Sequence, residues 1–350
     1  MSDFWQGRRV LITGHTGFKG GWLSHWLLAR GARVYGLALE PETEPSLFSQ
    51  LDLARRMDHA ILDVRNAGAV RQRVETVAPD VVFHLAAQPL VRRSYREPVE
   101  TFSTNVMGTV HVLDALRAAR ARVAVVSITT DKVYENREWV HAYRETDRLG
   151  GHDPYSASKA ACEIAISSYR LSYFQGSQVA LASARAGNVI GGGDWAEDRI
   201  VPDFVRAGLS GQRLQVRNPG ALRPWQHVLD PLAGYILLAQ QLYAGKAAVE
   251  TSFNFGPDAA AQRRVSEVLS SAQDHWPVAW DDKSDPDAVH EANLLSLTTE
   301  KAQTILGWKP RWNFDQAVGQ TISWYRAVSE GADPAARTTA DIERFEAAGL

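Results

Sequence analysis

The stretch VLITGHTGFKGGWLSHWLLARG, residues 10–31, decides the fold. Residues 10–13 predict a buried parallel strand, because the run is short, apolar and closed by a glycine. From Gly20 the apolar residues follow helical spacing, and the pattern ends at Gly31, a favourable C-cap. The chain therefore begins with a strand, a glycine loop and a helix.

The loop between this strand and helix, GHTGFKG, lies where a dinucleotide pyrophosphate would rest. Glycines permit a tight turn and close backbone approach, and the helix N-terminus attracts phosphates. A glycine run alone is equally typical of a flexible loop, but its place in the first strand–loop–helix unit favours a cofactor site. The candidate cofactor-binding residues here are Gly14, His15, Thr16, Gly17, Phe18 and Lys19.

Strand and helix patterns alternate along the first half of the chain. Further strands are expected at 33–38, 59–62, 81–85, 123–127 and 179–182, with helices near 66–78, 98–120 and 155–175. This alternation predicts an α/β fold built on a doubly wound, parallel, Rossmann-type sheet.

The second half has more loops and more tryptophan. We predict a dinucleotide-binding domain at residues 1–186, with return segments near 226–256. A smaller, mixed α/β substrate domain follows at 187–330, with helices near 228–244, 265–275 and 313–329. The Ala- and charge-rich segment 331–350 is expected to be a loosely packed tail.

Composition excludes several classes of function. The 350 residues are 45% hydrophobic and 22% charged, with a net charge of −2 and no basic block, so neither nucleic-acid nor membrane binding is expected. The single cysteine, Cys162, rules out an intrachain disulfide, and the histidines lack metal-ligand spacing. We expect no metal and, without a targeting segment, a cytoplasmic location.

Tyr155 and Lys159 lie at positions i and i+4 of a predicted helix, in the run DPYSASK. They share one helix face, where the ammonium can lower the pKa of the phenol and allow it to take a hydroxyl proton. Such spacing is also common in ordinary amphipathic helices. Thr130, at the end of the preceding strand pattern, supplies a second hydroxyl and favours catalysis.

Asp131 and Lys132 add an acid and a base that a plain alcohol oxidation does not need. To act, Lys132 must be neutral and Asp131 protonated, and burial favours both states. If both stay charged they form only an ion pair, and this alternative stays open.

Other cofactor candidates follow later strands. Asp63 and Val64 come after the third strand, where Asp63 could accept from an adenine amino group or cap a helix. Leu85, Ala86 and Ala87 follow the next one. A carboxylate that binds the cofactor ribose is expected at the end of the second strand, but Ala38 occupies that position. The residues therefore do not decide between NAD and NADP.

These residues resemble the extended short-chain dehydrogenase/reductase family that modifies nucleotide sugars and, within it, the 4,6-dehydratases that act on CDP-glucose. The similar stretches include GHTGFKGGWL, TTDKVYENREW, GGHDPYSASK and ARAGNVIGGGDWAEDRIVPD. The resemblance implies NAD as cofactor, CDP-glucose as substrate, and a 4-keto-6-deoxy product formed by hydride transfer from C4 to C6. It also implies that Asn105 supports the catalytic lysine at the cofactor. In the related dTDP- and GDP-sugar dehydratases, the position that corresponds to Lys132 resembles a glutamate instead.

The resemblance further implies a homodimer or homotetramer, formed through the helices near 98–120 and 155–175.

Candidate substrate-binding residues are Gln88, Asn188, Arg199, Arg223 and His227, with Arg223 favoured for the pyrophosphate. His290 and Glu291 are weaker candidates near the base. Two other functions stay open: a nucleotide-sugar 4-epimerase, and a non-catalytic dinucleotide sensor.

Overall fold

The computed structural model describes residues 4–258, 261–284 and 294–349. His290 and Glu291 lie outside these ranges. In chain order the strands are β1 (Arg9–Thr13), β2 (Arg33–Ala38), β3 (Asp58–Ile61), β4 (Val81–His84), β5 (Val123–Ile128), β6 (Val179–Ala186), β7 (Val189–Ile190), β8 (Leu214–Val216), β9 (Leu222–Pro224), β10 (Gln226–His227), β11 (Ser252–Phe255), β12 (Gln262–Arg264) and β13 (Trp280–Asp282).

The α-helices are α1 (Phe18–Ala29), α2 (Leu47–Gln50), α3 (Leu53–Arg56), α4 (Ala67–Val77), α5 (Val91–Arg96), α6 (Pro98–Phe102), α7 (Gly108–Leu116), α8 (Pro154–Tyr169), α9 (Ile200–Ser210), α10 (Leu229–Tyr243), α11 (Val265–Gln273), α12 (Phe314–Ser329) and α13 (Pro334–Ala347). A π-helical turn, Ser103–Met107, joins α6 to α7, and another, Arg170–Phe174, extends α8. A 3₁₀ turn at Asp131–Val133 follows β5.

Seven strands form one sheet in the order β3-β2-β1-β4-β5-β6-β11, and every neighbouring pair is parallel. The chain moves outward in opposite directions from β1 and β4, so a crevice opens between their carboxyl ends. The predicted doubly wound parallel sheet is confirmed.

Helices cover both faces of the sheet. On one face α1 and α10 contribute Trp22, Leu23 and Leu232 to the core. On the other face α7 and α8 contribute Leu113 and Ile166. Because both faces are covered, every residue of β5 and β6 is buried, which explains why these strands consist of small and apolar residues, apart from Arg185.

The remaining strands form three small pairs, β7 with β10, β9 with β12 and β8 with β13. Together with α9, α11 and α12 they make the smaller mixed region. β11 returns to the edge of the main sheet beside β6, and α10 packs on β5 and β6. Among the described helices, none is both long and apolar enough to cross a membrane.

The expectation of a loosely packed tail is wrong. Asp333 caps α13, and this helix buries Ile342 and Phe345. The indole of Trp26 donates to the Glu346 carboxylate at 2.7 Å, which fixes the end of α13 to α1. The alanine- and charge-rich composition concealed a narrow buried face, which includes Thr338, Asp341, Ile342 and Phe345.

Candidate active site

A cavity of about 1460 Å³ lies along the carboxyl edge of the sheet, between the glycine loop and the smaller region. It collects most of the side chains that the sequence singled out. The predicted residues that line it are Gly14, Thr16, Gly17, Phe18, Lys19, Asp63, Val64, Leu85, Ala86, Ala87, Thr130, Asp131, Lys132, Tyr155, Lys159, Asn188, Arg199 and Arg223.

The glycine loop forms a cradle that side chains would fill. Gly14 has φ +76°, and a Cβ there would lie 2.8 Å from the backbone nitrogen of Ala86. A Cβ on Gly20 would lie 2.1 Å from the carbonyl oxygen of Gly14. Because the N-cap of α1 is Gly17, no side chain covers the positive end of the helix dipole. The cradle therefore fits a dinucleotide pyrophosphate.

Asp63 lies on the wall of the cavity as a carboxylate. Arg65 donates to Asp63 Oδ2 through Nε at 2.8 Å and Nη2 at 2.6 Å. This hydrogen bonding holds the pKa of Asp63 below its ordinary value, so the group stays an acceptor. The alternative role as a helix cap is wrong, because Asn66 caps α4 by accepting from the amide of Ala69.

His15 does not line the cavity, and its role as a cofactor-binding residue stays a prediction. Its ring packs against Phe48 and His59 beneath Gly36, where a Cβ would come within 2.6 Å of the ring. Burial lowers the pKa of His15 to about 4, so the ring is neutral near pH 7. It contributes no positive charge to the phosphate cradle. Lys19 does line the cavity, and burial lowers its pKa to about 8.

The catalytic candidates form one hydrogen-bonded chain. The Thr130 side chain lowers the pKa of Tyr155 by hydrogen bonding, and Thr130 Oγ1 donates to Asp131 Oδ1 at 3.0 Å. Thr130 also caps the 3₁₀ turn by accepting from the amide of Lys132. All three of Tyr155, Thr130 and Asp131 are buried, so the predicted group is assembled at the base of the cavity.

Asp131 and Lys132 form the ion pair that the sequence left open. Lys132 Nζ lies 3.4 Å from Asp131 Oδ1 and 3.4 Å from Asn188 Oδ1. The Asp131 side chain is 2% exposed, whereas that of Lys132 is 26% exposed. The acid thus lies at the floor of the cavity, and the amine reaches into it.

Tyr155 and Lys159 share one face of α8, as expected, but their electrostatics differ from the expectation. Burial raises the pKa of Tyr155 to about 12, and the hydrogen bond with Thr130 only partly opposes it. Burial likewise lowers the pKa of Lys159, whose Nζ donates to the carbonyl of Ile128 at 3.3 Å. In this structure the loss of water around the phenol decides the direction in which the pKa of Tyr155 moves.

Gln88 does not line the cavity, and its role in substrate binding stays a prediction. Its amide donates to Thr101 Oγ1 at 2.9 Å and accepts from the amide of Leu90 at 2.6 Å, so both ends are used inside the protein. Asn105 also lies behind the cavity wall and not on the cofactor surface. The Asn105 side chain accepts from the backbone amide of Gln88 and donates to Ser158 Oγ at 2.8 Å. Ser158 immediately precedes Lys159.

His227 is a fully buried core residue that does not line the cavity, and its role in substrate binding stays a prediction. Its ring lies between Trp22 and Trp312, at 5.8 and 4.6 Å between ring centroids. Burial lowers the pKa of His227 to about 3, and Nδ1 accepts from the amide of Leu229 at 3.3 Å. Its position two residues after Trp225 in the sequence did not reveal that the ring points away from the cavity.

Arg199 is held in the cavity wall by Asp194, with 2.7 Å between Nη1 and Oδ2, and this carboxylate raises the pKa of Arg199. The sequence singled out Arg199 but missed Asp194, its partner. Lys132, Lys159 and Arg199 lie at the same end of the cavity as Lys19, since the charge of each of them lowers the pKa of Lys19, whereas Asp131 raises it. Such a concentration of cations suits a diphosphate.

Two further polar residues escaped sequence reasoning. Glu163 lies on the same face of α8 as Tyr155 and Lys159, one turn further on, and pairs with Arg185 of β6. The i, i+4, i+8 spacing of the three α8 residues was the available signal. Within the described ranges, His, Cys, Asp and Glu side chains form no group of three or more suited to a metal ion.

The family model of GDP-mannose 4,6-dehydratase matches residues 11–321. The chain is similar to a CDP-glucose 4,6-dehydratase from Salmonella typhimurium (strain LT2), with 47% identity over 340 residues that cover 95% of this chain and 94% of that protein.

Two solved structures extend the comparison. A dTDP-glucose 4,6-dehydratase from Streptomyces venezuelae with NAD bound superposes with a TM-score of 0.78 at 25% identity, covering 93% of this chain and 99% of that one. A UDP-glucose 4-epimerase from Thermus thermophilus in complex with NAD gives 0.79 at 26% identity, covering 91% and 99%. The cleft, the Thr130-Asp131-Lys132 turn and the Tyr155/Lys159 helix thus lie inside the matched region, and the chain belongs to the GDP-mannose 4,6-dehydratase family.

Proposed function

We propose that this chain is a CDP-glucose 4,6-dehydratase, which converts CDP-D-glucose to CDP-4-keto-6-deoxy-D-glucose and water in deoxysugar biosynthesis. One observation carries the reaction type: Tyr155, Thr130 and the Asp131–Lys132 pair meet in a single cavity beside a dinucleotide cradle. The similarity to the Salmonella enzyme supports CDP-glucose as the substrate.

NAD is the proposed cofactor, and the NAD-bound structural relatives support it. The pyrophosphate would rest on the cradle of Gly14, Thr16, Gly17 and Phe18, with Asp63 at the adenine. Bound there, NAD supplies reversible hydride uptake, from C4 of the sugar and back to C6. We propose residues 1–186, with α10 and β11, as the cofactor domain, and the elements around β7–β10 as the substrate domain.

Tyr155 takes the proton of the C4 hydroxyl in the first step. Thr130, bonded to Tyr155 and to Asp131, holds the same sugar oxygen. A 4-ketone makes the C5 hydrogen acidic, since the carbanion is stabilised by the neighbouring carbonyl. Lys159, buried one turn along α8, supplies the positive charge that favours the phenolate.

Lys132 then takes the C5 proton while Asp131 gives a proton to the departing C6 hydroxyl. Within the ion pair one proton is shared over 3.4 Å between Lys132 Nζ and Asp131 Oδ1. Moving that proton from nitrogen to oxygen yields a neutral amine and a protonated acid, with no exchange with solvent. The elimination leaves Lys132 as an ammonium and Asp131 as a carboxylate. Once hydride has reached C6, the Lys132 ammonium, whose protons exchange with solvent, gives a proton to C5 and completes the 4-keto-6-deoxy product.

The diphosphate of the substrate would be held by the cationic end of the cavity. Arg199 and Arg223 line this end with Asn188, while Lys19 adds charge from the first turn of α1. Guanidinium groups bind phosphate oxygens with two parallel hydrogen bonds, so Arg199 and Arg223 suit this role.

Incubation with CDP-, dTDP-, GDP- and UDP-glucose in deuterated water tests the reaction and the substrate together. We expect a 4-keto-6-deoxy sugar from CDP-glucose, with deuterium at C5. Product that retains its C6 oxygen would indicate a 4-epimerase. Bound cofactor without turnover of any of the four sugars would indicate a non-catalytic sensor.

Gly20→Ala is expected to weaken NAD binding about tenfold or more. The new Cβ would meet the Gly14 carbonyl oxygen at 2.1 Å, so the loop must shift, and overpacking of this kind costs about 1–3 kcal/mol. Isothermal titration with NAD measures the loss. Gly68→Ala in α4, where the nearest atom lies at 3.6 Å, is the control and should bind like the wild type. Equal NAD affinity for Gly20→Ala and the wild type would contradict the cradle.

We also propose that the chain forms a dimer through α6–α7 and α8. These helices and their π-helical turns expose a row of apolar side chains, namely Val99, Phe102, Met107, Ile164, Leu171 and Tyr173. Large apolar side chains exposed on neighbouring helices are typical of an interface.

Ile164→Asp is expected to shift the assembly toward monomer, because Ile164 is 62% exposed at the centre of α8 and a carboxylate would be buried there. Light scattering coupled to gel filtration measures the mass. Leu209→Asp, on exposed α9, is the matched control and should leave the mass unchanged. A wild-type monomer would exclude the proposed dimer.

A further inference from the structure

A buried polar network lies directly behind the catalytic turn. Glu163 follows Tyr155 and Lys159 on the same face of α8, and its side chain is 3% exposed. Its carboxylate accepts three hydrogen bonds, from Thr129 Oγ1 at 2.5 Å, Ser183 Oγ at 2.8 Å and Arg185 Nη2 at 2.7 Å. The carboxylate is therefore fully engaged inside the protein.

Arg185 carries the network onward from β6. Its side chain is also 3% exposed. Nη1 donates to Tyr134 Oη at 2.8 Å and to the carbonyl of Glu145 at 3.1 Å. The Tyr134 hydroxyl in turn donates to Asn254 Oδ1 at 2.7 Å, on β11.

The two ends of this network hold the two ends of the catalytic turn. Thr129, bonded to Glu163, immediately precedes Thr130. Tyr134, bonded to Arg185, immediately follows the 3₁₀ turn Asp131–Val133. Thus the segment that carries Thr130, Asp131 and Lys132 is held at both flanks by one ion pair, and that pair begins on the helix of Tyr155.

Stability alone is a weak reason for such a pair. Taking two charges out of water costs about as much as their attraction returns, and well-packed apolar side chains often stabilise a core as well or better. The rest of β5, from Val123 to Val126, is apolar and buried. The polar side chains begin where the strand reaches the catalytic turn.

We propose that Glu163 and Arg185 are a positioning pair, which fixes the Thr130-Asp131-Lys132 turn relative to Tyr155 and Lys159. One bound sugar can then reach Asp131 and Lys132 as well as Tyr155 and Lys159. This inference rests on the proposed dehydratase function. Glu163 and Arg185 do not touch the substrate, so they act only through the turn.

The test compares kinetics with thermal stability. Glu163→Gln removes the charge, and we expect kcat for CDP-glucose to fall about 10²-fold, the size of loss that a misplacement of about 1 Å produces. KM should stay within about twofold, because the residues that hold the nucleotide are untouched. Thr129→Val, which removes a single contact at one flank, should lower kcat less and leave Tm nearly unchanged.

A double variant separates positioning from stability. Glu163→Leu with Arg185→Met replaces the pair by apolar side chains, so Tm should recover relative to Glu163→Gln while kcat stays low. Recovery of kcat together with Tm would overturn the proposal. So would wild-type kcat in both Glu163→Gln and Thr129→Val, which decides the matter even if the double variant does not fold.

A second buried pair provides the matched control. Asp341 is fully buried on α13 and pairs with Arg337 at 2.9 Å, outside the cavity. Asp341→Asn should lower Tm but leave kcat unchanged.

Hydrogen–deuterium exchange of residues 129–134 measures how firmly this segment is held, and it does so without requiring turnover. Faster exchange there in Glu163→Gln, and not in Asp341→Asn, supports the proposal even if the wild type converts no nucleotide glucose. In that case only the proposed function fails. Unchanged exchange together with unchanged kcat overturns the positioning role alone.

Discussion

Replacing Lys132 by methionine is expected to abolish exchange of the C5 hydrogen with deuterated water and to lower dehydration by about 10²–10⁴-fold, the contribution of a positioned acid or base. Methionine keeps the length and the apolar stem but removes the amine that lies 3.4 Å from Asp131. Oxidation at C4 should survive, because Tyr155 and Thr130 are unchanged. Quenched single-turnover samples should therefore contain 4-keto sugar that still holds its C6 oxygen.

Two comparisons make the Lys132 experiment decisive. Lys246→Met removes an exposed amine beyond the end of α10 and should react like the wild type. Saturating CDP-glucose removes any contribution of the lost charge to substrate binding. Wild-type C5 exchange in Lys132→Met would rule out Lys132 as the base and leave the Asp131–Lys132 contact as a structural ion pair.

The fold was predictable because its signals are local. A parallel strand buried on both faces must be a short apolar run, and each helix of this sheet must bury one stripe. In the first strand–loop–helix unit, Gly14 and Gly20 pack against backbone atoms, and this close packing is compatible with few other loop conformations. The helix in segment 331–350 was not predicted, because the residues of its buried face are separated by alanines and charged residues. Its apolar contacts, with Trp26 and Trp312, come from parts of the chain that are distant in sequence.

The direction of polar side chains after a strand was not predictable. His15, Gln88 and His227 all stand beside residues that line the cavity, yet each turns inward. What decides this is a partner distant in sequence: Gly36 leaves room for His15, Thr101 accepts from the Gln88 side-chain amide, and Trp312 packs on His227. A motif locates such residues on the correct loop, but only tertiary packing selects their orientation.

The catalytic group itself was predictable, because its geometry follows from helix periodicity and strand ends. Tyr155 and Lys159 share a face by spacing alone, and Thr130 lies two residues beyond the end of β5. What spacing could not reveal was the balance of electrostatic terms. Whether burial or a neighbouring ammonium controls Tyr155 depends on how completely the surrounding chain excludes water, and here burial prevails.

Replacing Tyr155 by phenylalanine is expected to lower kcat by about 10²–10⁴-fold, since the C4 hydroxyl loses its base. Burial raises the pKa of Tyr155 to about 12 in this structure, so the phenol is protonated near pH 7. A cationic nicotinamide and the Lys159 ammonium would both lower that pKa when the cleft is filled. Because the phenolate is the active form, wild-type kcat/KM should rise with pH until Tyr155 is deprotonated, and fall as pH decreases.

The pH–rate profile of Tyr155→Phe should lack this rise, whereas NAD affinity should change little, because the pyrophosphate cradle is intact. Tyr235 offers a matched control: it is another fully buried tyrosine, it lies outside the cavity, and its hydroxyl has no hydrogen-bond partner among the described residues. Tyr235→Phe should therefore keep both the wild-type rate and the wild-type profile. If Tyr155→Phe retained the rise with pH, a different group would have to remove the C4 hydroxyl proton, and Lys159 would then be the nearest buried base on the same helix face.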